Sequence, residues 1–153
     1  HAGIYGNLKR YFEYSQKGQT PTTPCLPVIG ALDVSTKMIL DEGLDNVFDR
    51  HRKIAVYVKD ELAKLGFGVW GDTDSSSNTI TAAFLPPDLK SQYTDKQFVE
   101  LLKKRERLEI APGIHGKGDY IRIGHMGCIT ETGARRMVFK IKKLLLELRS
   151  KSA

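Results

Sequence analysis

The sequence predicts an α+β fold: a small antiparallel or mixed sheet with helices on one face. Two patterns predict it. Apolar residues recur every three or four positions in several stretches, the mark of a helix that buries one side. Short alternating runs at 79–85 and 120–124 lie among them, the period of a half-buried strand. Helices and short strands in this order fit one sheet carrying a helical layer.

Residues 1–27 read differently from the rest. Thr20-Pro21-Thr22-Thr23-Pro24 and Pro27 fix φ repeatedly and push the preceding residues to extended conformations. The whole stretch is expected to be an irregular loop, not a helix. From Val28 the pattern turns helical, with Gly43 as a break. A longer helix is predicted over 45–65, with a stripe of Val47, Phe48, His51, Ile54, Ala55, Val58, Leu62 and Leu65. Gly66 supplies its stop.

Residues 67–70 form a short strand candidate, and 72–77 a polar loop. Over 79–85, Ile80, Ala82 and Phe84 share one side, and Thr79, Thr81 and Ala83 the other. Pro86-Pro87 ends that strand. Thr94 with Gln97 three residues on is a capping-box pattern that opens a helix. A strand is expected at 108–111, a loop at 112–118, and a strand at 120–124 with Ile121 and Ile123 inward. The last helix begins near Thr130, and its inner stripe is Ala134, Met137, Val138, Ile141, Leu144, Leu145 and Leu148.

Composition narrows the function classes. The chain has 153 residues, 41% hydrophobic and 27% charged, ordinary for a globular domain. Its net charge of +6 concentrates at 103–107 and 135–151. Those cations interleave with apolar residues at helical spacing, so solvated helix faces explain them better than a nucleic-acid surface. No apolar run approaches the roughly 18 residues that span a membrane, and no apolar leader opens the chain. Neither nucleic acid nor membrane is expected as a partner. Cys25 and Cys128 stand far apart, which fits a reducing, cytoplasmic setting. The chain starts with His1 and not methionine, from which we expect further residues upstream.

Four groups are candidates for chemistry. Gly113-Ile114-His115-Gly116-Lys117-Gly118 lies between strands instead of opening a helix, so it reads as a connection and not a phosphate cradle. His115, His125, Cys128 and Cys25 match no zinc spacing, so no metal is expected. Arg122 projects opposite to Ile121 and Ile123, between Gly118 and Gly124. There its planar guanidinium could grip a carboxylate through two parallel hydrogen bonds, or simply face solvent. The hydroxyls of residues 20–23, on a proline-stiffened loop, could hold a phosphate or serve as a plain linker.

Taken together, three stretches are more specific: Gly18-Gln19-Thr20-Pro21-Thr22-Thr23-Pro24; Asp41-Glu42-Gly43-Leu44-Asp45-Asn46-Val47-Phe48-Asp49-Arg50-His51-Arg52; and Tyr120-Ile121-Arg122-Ile123-Gly124-His125-Met126-Gly127. Their order and spacing resemble the C-terminal part of class V pyridoxal-phosphate aminotransferases of the serine–pyruvate / alanine–glyoxylate type. The resemblance implies the C-terminal small domain of a fold-type I transferase over residues 28–153, with 1–27 belonging to the large domain. It implies a homodimer whose intact enzyme uses pyridoxal 5'-phosphate to move an amino group from a small amino acid, serine or alanine, to pyruvate or glyoxylate. Arg122 is then the substrate-carboxylate ligand. Thr23, and with it Thr20, would contact the cofactor phosphate of the other subunit. Relatives carry the Schiff-base lysine upstream of the T-P loop. Ser15-Gln16-Lys17 spells a similar triplet, but Lys17 abuts the T-P loop, so the segment alone is expected to be inactive. The alternative is a free-standing, non-catalytic interaction domain derived from such an enzyme.

Overall fold

The computed structural model describes residues 3–71, 76–114 and 120–152. They fall into two compact units, one up to Leu44 and one from Asp45 onward.

The first unit corrects the reading of residues 1–27. After a single 3-10 turn, Ile4–Gly6, helix α1 spans Leu8–Ser15. The prolines that argued against helix all lie at 21 or later, and 8–15 holds neither proline nor glycine. Asn7 also caps it, its side-chain oxygen accepting the Arg10 N–H at 3.2 Å. The loop expectation holds for 19–25, where Thr20 Oγ1 donates to the Thr22 carbonyl at 2.8 Å. Helix α2, Leu26–Glu42, begins two residues before Val28, with Pro27 in its first turn. A proline is tolerated there because first-turn N–H groups have no intrahelical acceptor. Gly43, at φ 86°, ends α2. No side chain of α2 is buried.

Helix α3, Leu44–Lys64, lies in the second unit from Asp45 onward and is closed by Gly66 at φ 91°. Then come β1 (Gly68–Val69), β2 (Ile80–Phe84), the short α4 (Pro87–Lys90) and α5 (Asp95–Leu101). Thr94 caps α5 with the predicted box. A π-helical turn, Leu102–Glu106, continues α5, followed by β3 (Ala111–Pro112), β4 (Tyr120–Gly124) and α6 (Glu131–Ser152). The sheet order is β1-β2-β4-β3 and every pairing is antiparallel.

Strand β3 is shorter than the expected 108–111 and takes in Pro112, the first residue of the expected loop. The π turn ends on Arg107 in the left-handed region, φ 49°, and the Leu108 N–H turns back to the Leu102 carbonyl at 3.3 Å. Residue 108 is therefore spent on closing a helix end and cannot join a ladder. The expected loops at 72–77 and 112–118 fall partly outside the described residues.

On β2, Thr81 and Ala83 point into the core, while Ile80 and Phe84 lie on the other face. The register explains this: Thr81 stands opposite Ile123 and Ala83 opposite Ile121. Small side chains beside large ones let the helices approach the sheet. The core joins Ile54, Val58 and Leu62 of α3, Phe98 of α5, Ile121 and Ile123 of β4, and the whole predicted stripe of α6. Each such buried Ile, Leu or Phe contributes about 1.5–3 kcal/mol relative to exposure. The helices thus cover one sheet face and leave the other for Arg122.

Candidate functional site

Arg122 occupies the middle of β4, half-buried, on the sheet face opposite the core. Its Nε donates to the Pro112 carbonyl on neighbouring β3 at 3.0 Å. Among the described residues no acid pairs with it, so both Nη groups stay available. Fixing Nε while freeing the Nη edge aims the guanidinium without using up its fork.

The carbonyl that does this is itself held. Asp95, buried at the start of α5, accepts the Gly113 N–H at 2.7 Å. The Ile114 N–H donates to the Tyr120 hydroxyl at 3.1 Å. Tyr120 in turn packs under Trp70 and Phe84, with ring centroids at 5.2 and 5.9 Å. None of Asp95, Pro112, Tyr120 or Trp70 was a site candidate in the sequence. The alternation of β4 placed Arg122 on the right face, but nothing local names the strands that flank it.

The other two candidate residues lie in the first unit. Thr20 commits its hydroxyl hydrogen to the Thr22 carbonyl, and Thr23 is exposed with no side-chain partner among the described residues. Lys17 is exposed too, its Nζ 5.6 Å from the Tyr14 ring centroid.

His125 is a core residue. Its Nε2 lies 2.8 Å from Thr81 Oγ1, and its backbone N–H donates to the Thr79 carbonyl at 2.9 Å. Burial pushes the imidazolium pKa below its ordinary value; a backbone hydrogen bond at Asn78 opposes this, and the charges of Lys59 and His51 add to it. Cys25 and Cys128 are free and exposed. Among the described residues, no three His, Cys, Asp or Glu side chains gather as a metal site, and no helix is long and apolar enough to cross a membrane.

Two of the distinctive sequence stretches meet. Arg50 on α3 donates to the carbonyls of Gly127 and Ile129, at 3.0 and 2.9 Å. It thereby fastens the turn that follows β4. Beside it, His51 Nδ1 donates to the Val47 carbonyl at 2.8 Å.

An uncharacterised aminotransferase of Methanocaldococcus jannaschii is 30% identical over 148 residues, 95% of this chain and 37% of that protein. Alanine–glyoxylate aminotransferase 1 of Saccharomyces cerevisiae is 31% identical over 161 aligned positions, 95% of this chain and 39% of its own length. This chain is a relative of the class V aminotransferases. It spans well under half of the curated relatives it matches, 37% in the first case. Among solved structures, a ureidoglycine–glyoxylate aminotransferase of Bacillus subtilis superposes with a TM-score of 0.81 at 21% identity, over 95% of this chain and 37% of that one. The fold is accordingly that of the C-terminal part of these aminotransferases. No established family profile matches the chain. Relationship over nearly the whole segment favours an aminotransferase part over a free-standing interaction domain.

Proposed function

We propose that this segment supplies the carboxylate grip of a pyridoxal-phosphate aminotransferase that takes small amino acids, serine or alanine, and short 2-oxo acids, pyruvate or glyoxylate. The observation that carries the reading is Arg122: Nε fastened to Pro112, Nη groups without an acid partner among the described residues, on the face turned from the core. Two parallel N–H donors meet the two oxygens of a carboxylate and fix the acid's orientation. Orientation converts an encounter into a positioned reaction, with the amine facing the chemistry.

Pyridoxal phosphate, when bound, supplies the electron sink for bond changes at the amine-bearing carbon. The exposed Thr23 hydroxyl has the donor character a phosphate needs, and it stands on a loop shaped by the Thr20–Thr22 bond. In this reading Thr23 and Thr20 serve the cofactor phosphate of a second subunit in a homodimer. Residues 1–27 then belong to the large domain and 28–153 to the small one. The exposed setting of Lys17, in the turn after α1, supports assigning the Schiff-base lysine outside this segment.

The test is Arg122→Ala in the aminotransferase that carries this segment. Loss of a charged bidentate contact, about 1.5–3 kcal/mol, raises the amino-acid KM by about 10- to 150-fold. An unchanged KM defeats the assignment.

A further inference from the structure

We infer that Trp70 and Ala82 limit the size of the acid that Arg122 grips, an inference that rests on the carboxylate role proposed for Arg122. The sheet register puts these residues in one row. Ala82 pairs with Arg122, and the Trp70 N–H donates to the Ala82 carbonyl at 2.9 Å, one step beyond the Val69–Ala83 pair. Residues directly opposite in antiparallel strands point to the same face. Trp70, Ala82 and Arg122 therefore share the face away from the core, with a single methyl group between an indole and a guanidinium.

Adjacent strands lie about 4.8 Å apart, so the backbones of Trp70 and Arg122 are separated by roughly 10 Å. In this row the residue between them is Ala82, whose side chain is a single methyl group. The indole is not a loose flap. It stacks on Phe84 with centroids 5.6 Å apart and planes 26° apart, and meets Tyr120 edge-on at 5.2 Å. It nevertheless remains 48% exposed. A held aromatic wall that still shows half its surface is a contact surface for something apolar and small.

A short acid with its carboxylate on the Arg122 Nη groups lays its few carbons over the Ala82 methyl, toward the indole. A longer chain running the same way meets Trp70. A branched side chain at position 82 would occupy the space itself. Adding or removing one methylene in such a pocket changes discrimination by about 10- to 200-fold.

Trp70 is the sole tryptophan in the chain, so its emission reports directly on this space. The chain is titrated with sodium pyruvate against sodium chloride at constant ionic strength. Arg122→Ala serves as the baseline for direct quenching. The expected result is a saturable change in Trp70 emission that Arg122→Ala abolishes. Ala82→Leu weakens it at least tenfold, and Ala82→Ser, nearly the same size, retains it. Trp70→Ala, followed through the Arg122 Nε–H resonance, shifts preference from pyruvate toward 2-oxohexanoate. If that resonance responds saturably to pyruvate while Trp70 emission is unmoved and Ala82→Leu binds as tightly, Arg122 grips acids but the size limit is overturned. If neither signal moves, the carboxylate grip itself fails, and the size limit with it.

Discussion

Thr81 and His125 meet in the core of the second unit, hydroxyl oxygen 2.8 Å from Nε2, at 2% and 0% exposure. The pair joins β2 to the turn after β4 from inside, just as the His125 N–H joins them through the Thr79 carbonyl. The histidine two residues beyond Ile123 is thus a structural polar contact that holds the strand bearing Arg122 against its neighbour.

A pH dependence follows. Burial lowers the pKa of His125 in the folded chain. Below about pH 6.5, the ordinary histidine value, the unfolded chain therefore binds more protons than the folded one. The stability from neutral His125 is complete above that pH and declines as pH falls toward the folded-state value. Urea unfolding from pH 7.5 to 5 should show this decline, and His125→Leu should flatten it. Thr81→Val leaves a buried ring nitrogen unpaired and should cost about 1–3 kcal/mol at pH 7. A wild-type stability that is flat across the window would show that His125 is not held neutral.

The capping box on α5 is legible in the sequence because its chemistry is local. Thr94 and Gln97 are three residues apart, and the Thr94 N–H donates to Gln97 Oε1 at 2.9 Å while the Gln97 N–H donates to Thr94 Oγ1 at 3.3 Å. Thr94→Ala should destabilise the second unit by about 1 kcal/mol, whereas Thr94→Ser should cost a fraction of that. Equal melting of Thr94→Ala and wild type would mean that the cap is redundant.

What local pattern could not reveal was set by partners distant in sequence. The alternation of β4 put Arg122 opposite Ile121 and Ile123, and the α6 stripe was read in full. Lys59, beside Val58 on α3, is buried through partners far along the chain, donating to Ser76 Oγ and, at 3.3 Å, to the Ser77 carbonyl. Asp95 looks like a helix-start acid but reaches the Gly113 N–H, eighteen residues on. Pairing also decided the face of β2, where apolar count alone favours Ile80, Ala82 and Phe84. Helix α1 was missed for another reason: the prolines of the following loop coloured the whole first stretch.

Gly113 is required by contact, not by φ. A Cβ built there would fall 2.8 and 2.9 Å from Tyr120 ring carbons and 2.9 Å from the Tyr120 carbonyl oxygen. Gly113→Ala must move β3 or the Tyr120 ring, and such overpacking costs about 1–3 kcal/mol. Because Pro112 precedes it, the displacement should also disturb the Arg122 Nε–H resonance. A variant that keeps both its stability and that resonance would show the turn to be more pliant than the contact implies.

Helix α2 makes the last prediction. Leu26, Val28, Ile29, Leu32, Val34, Met38, Ile39 and Leu40 are all exposed, between 43% and 70%. A helix that is apolar on most of its circumference belongs in contact with other protein, and a continuous exposed apolar surface drives association. The chain should therefore self-associate, with a mass by light scattering that rises with concentration. Replacing Leu32 and Ile39 with glutamate puts two charges on that surface and should shift the distribution toward monomer. The second unit serves as an internal control, since its core includes no residue of α2 and its unfolding should be unchanged by the double variant. A wild-type chain that stays monomeric as its concentration is raised would show that α2 does not drive association.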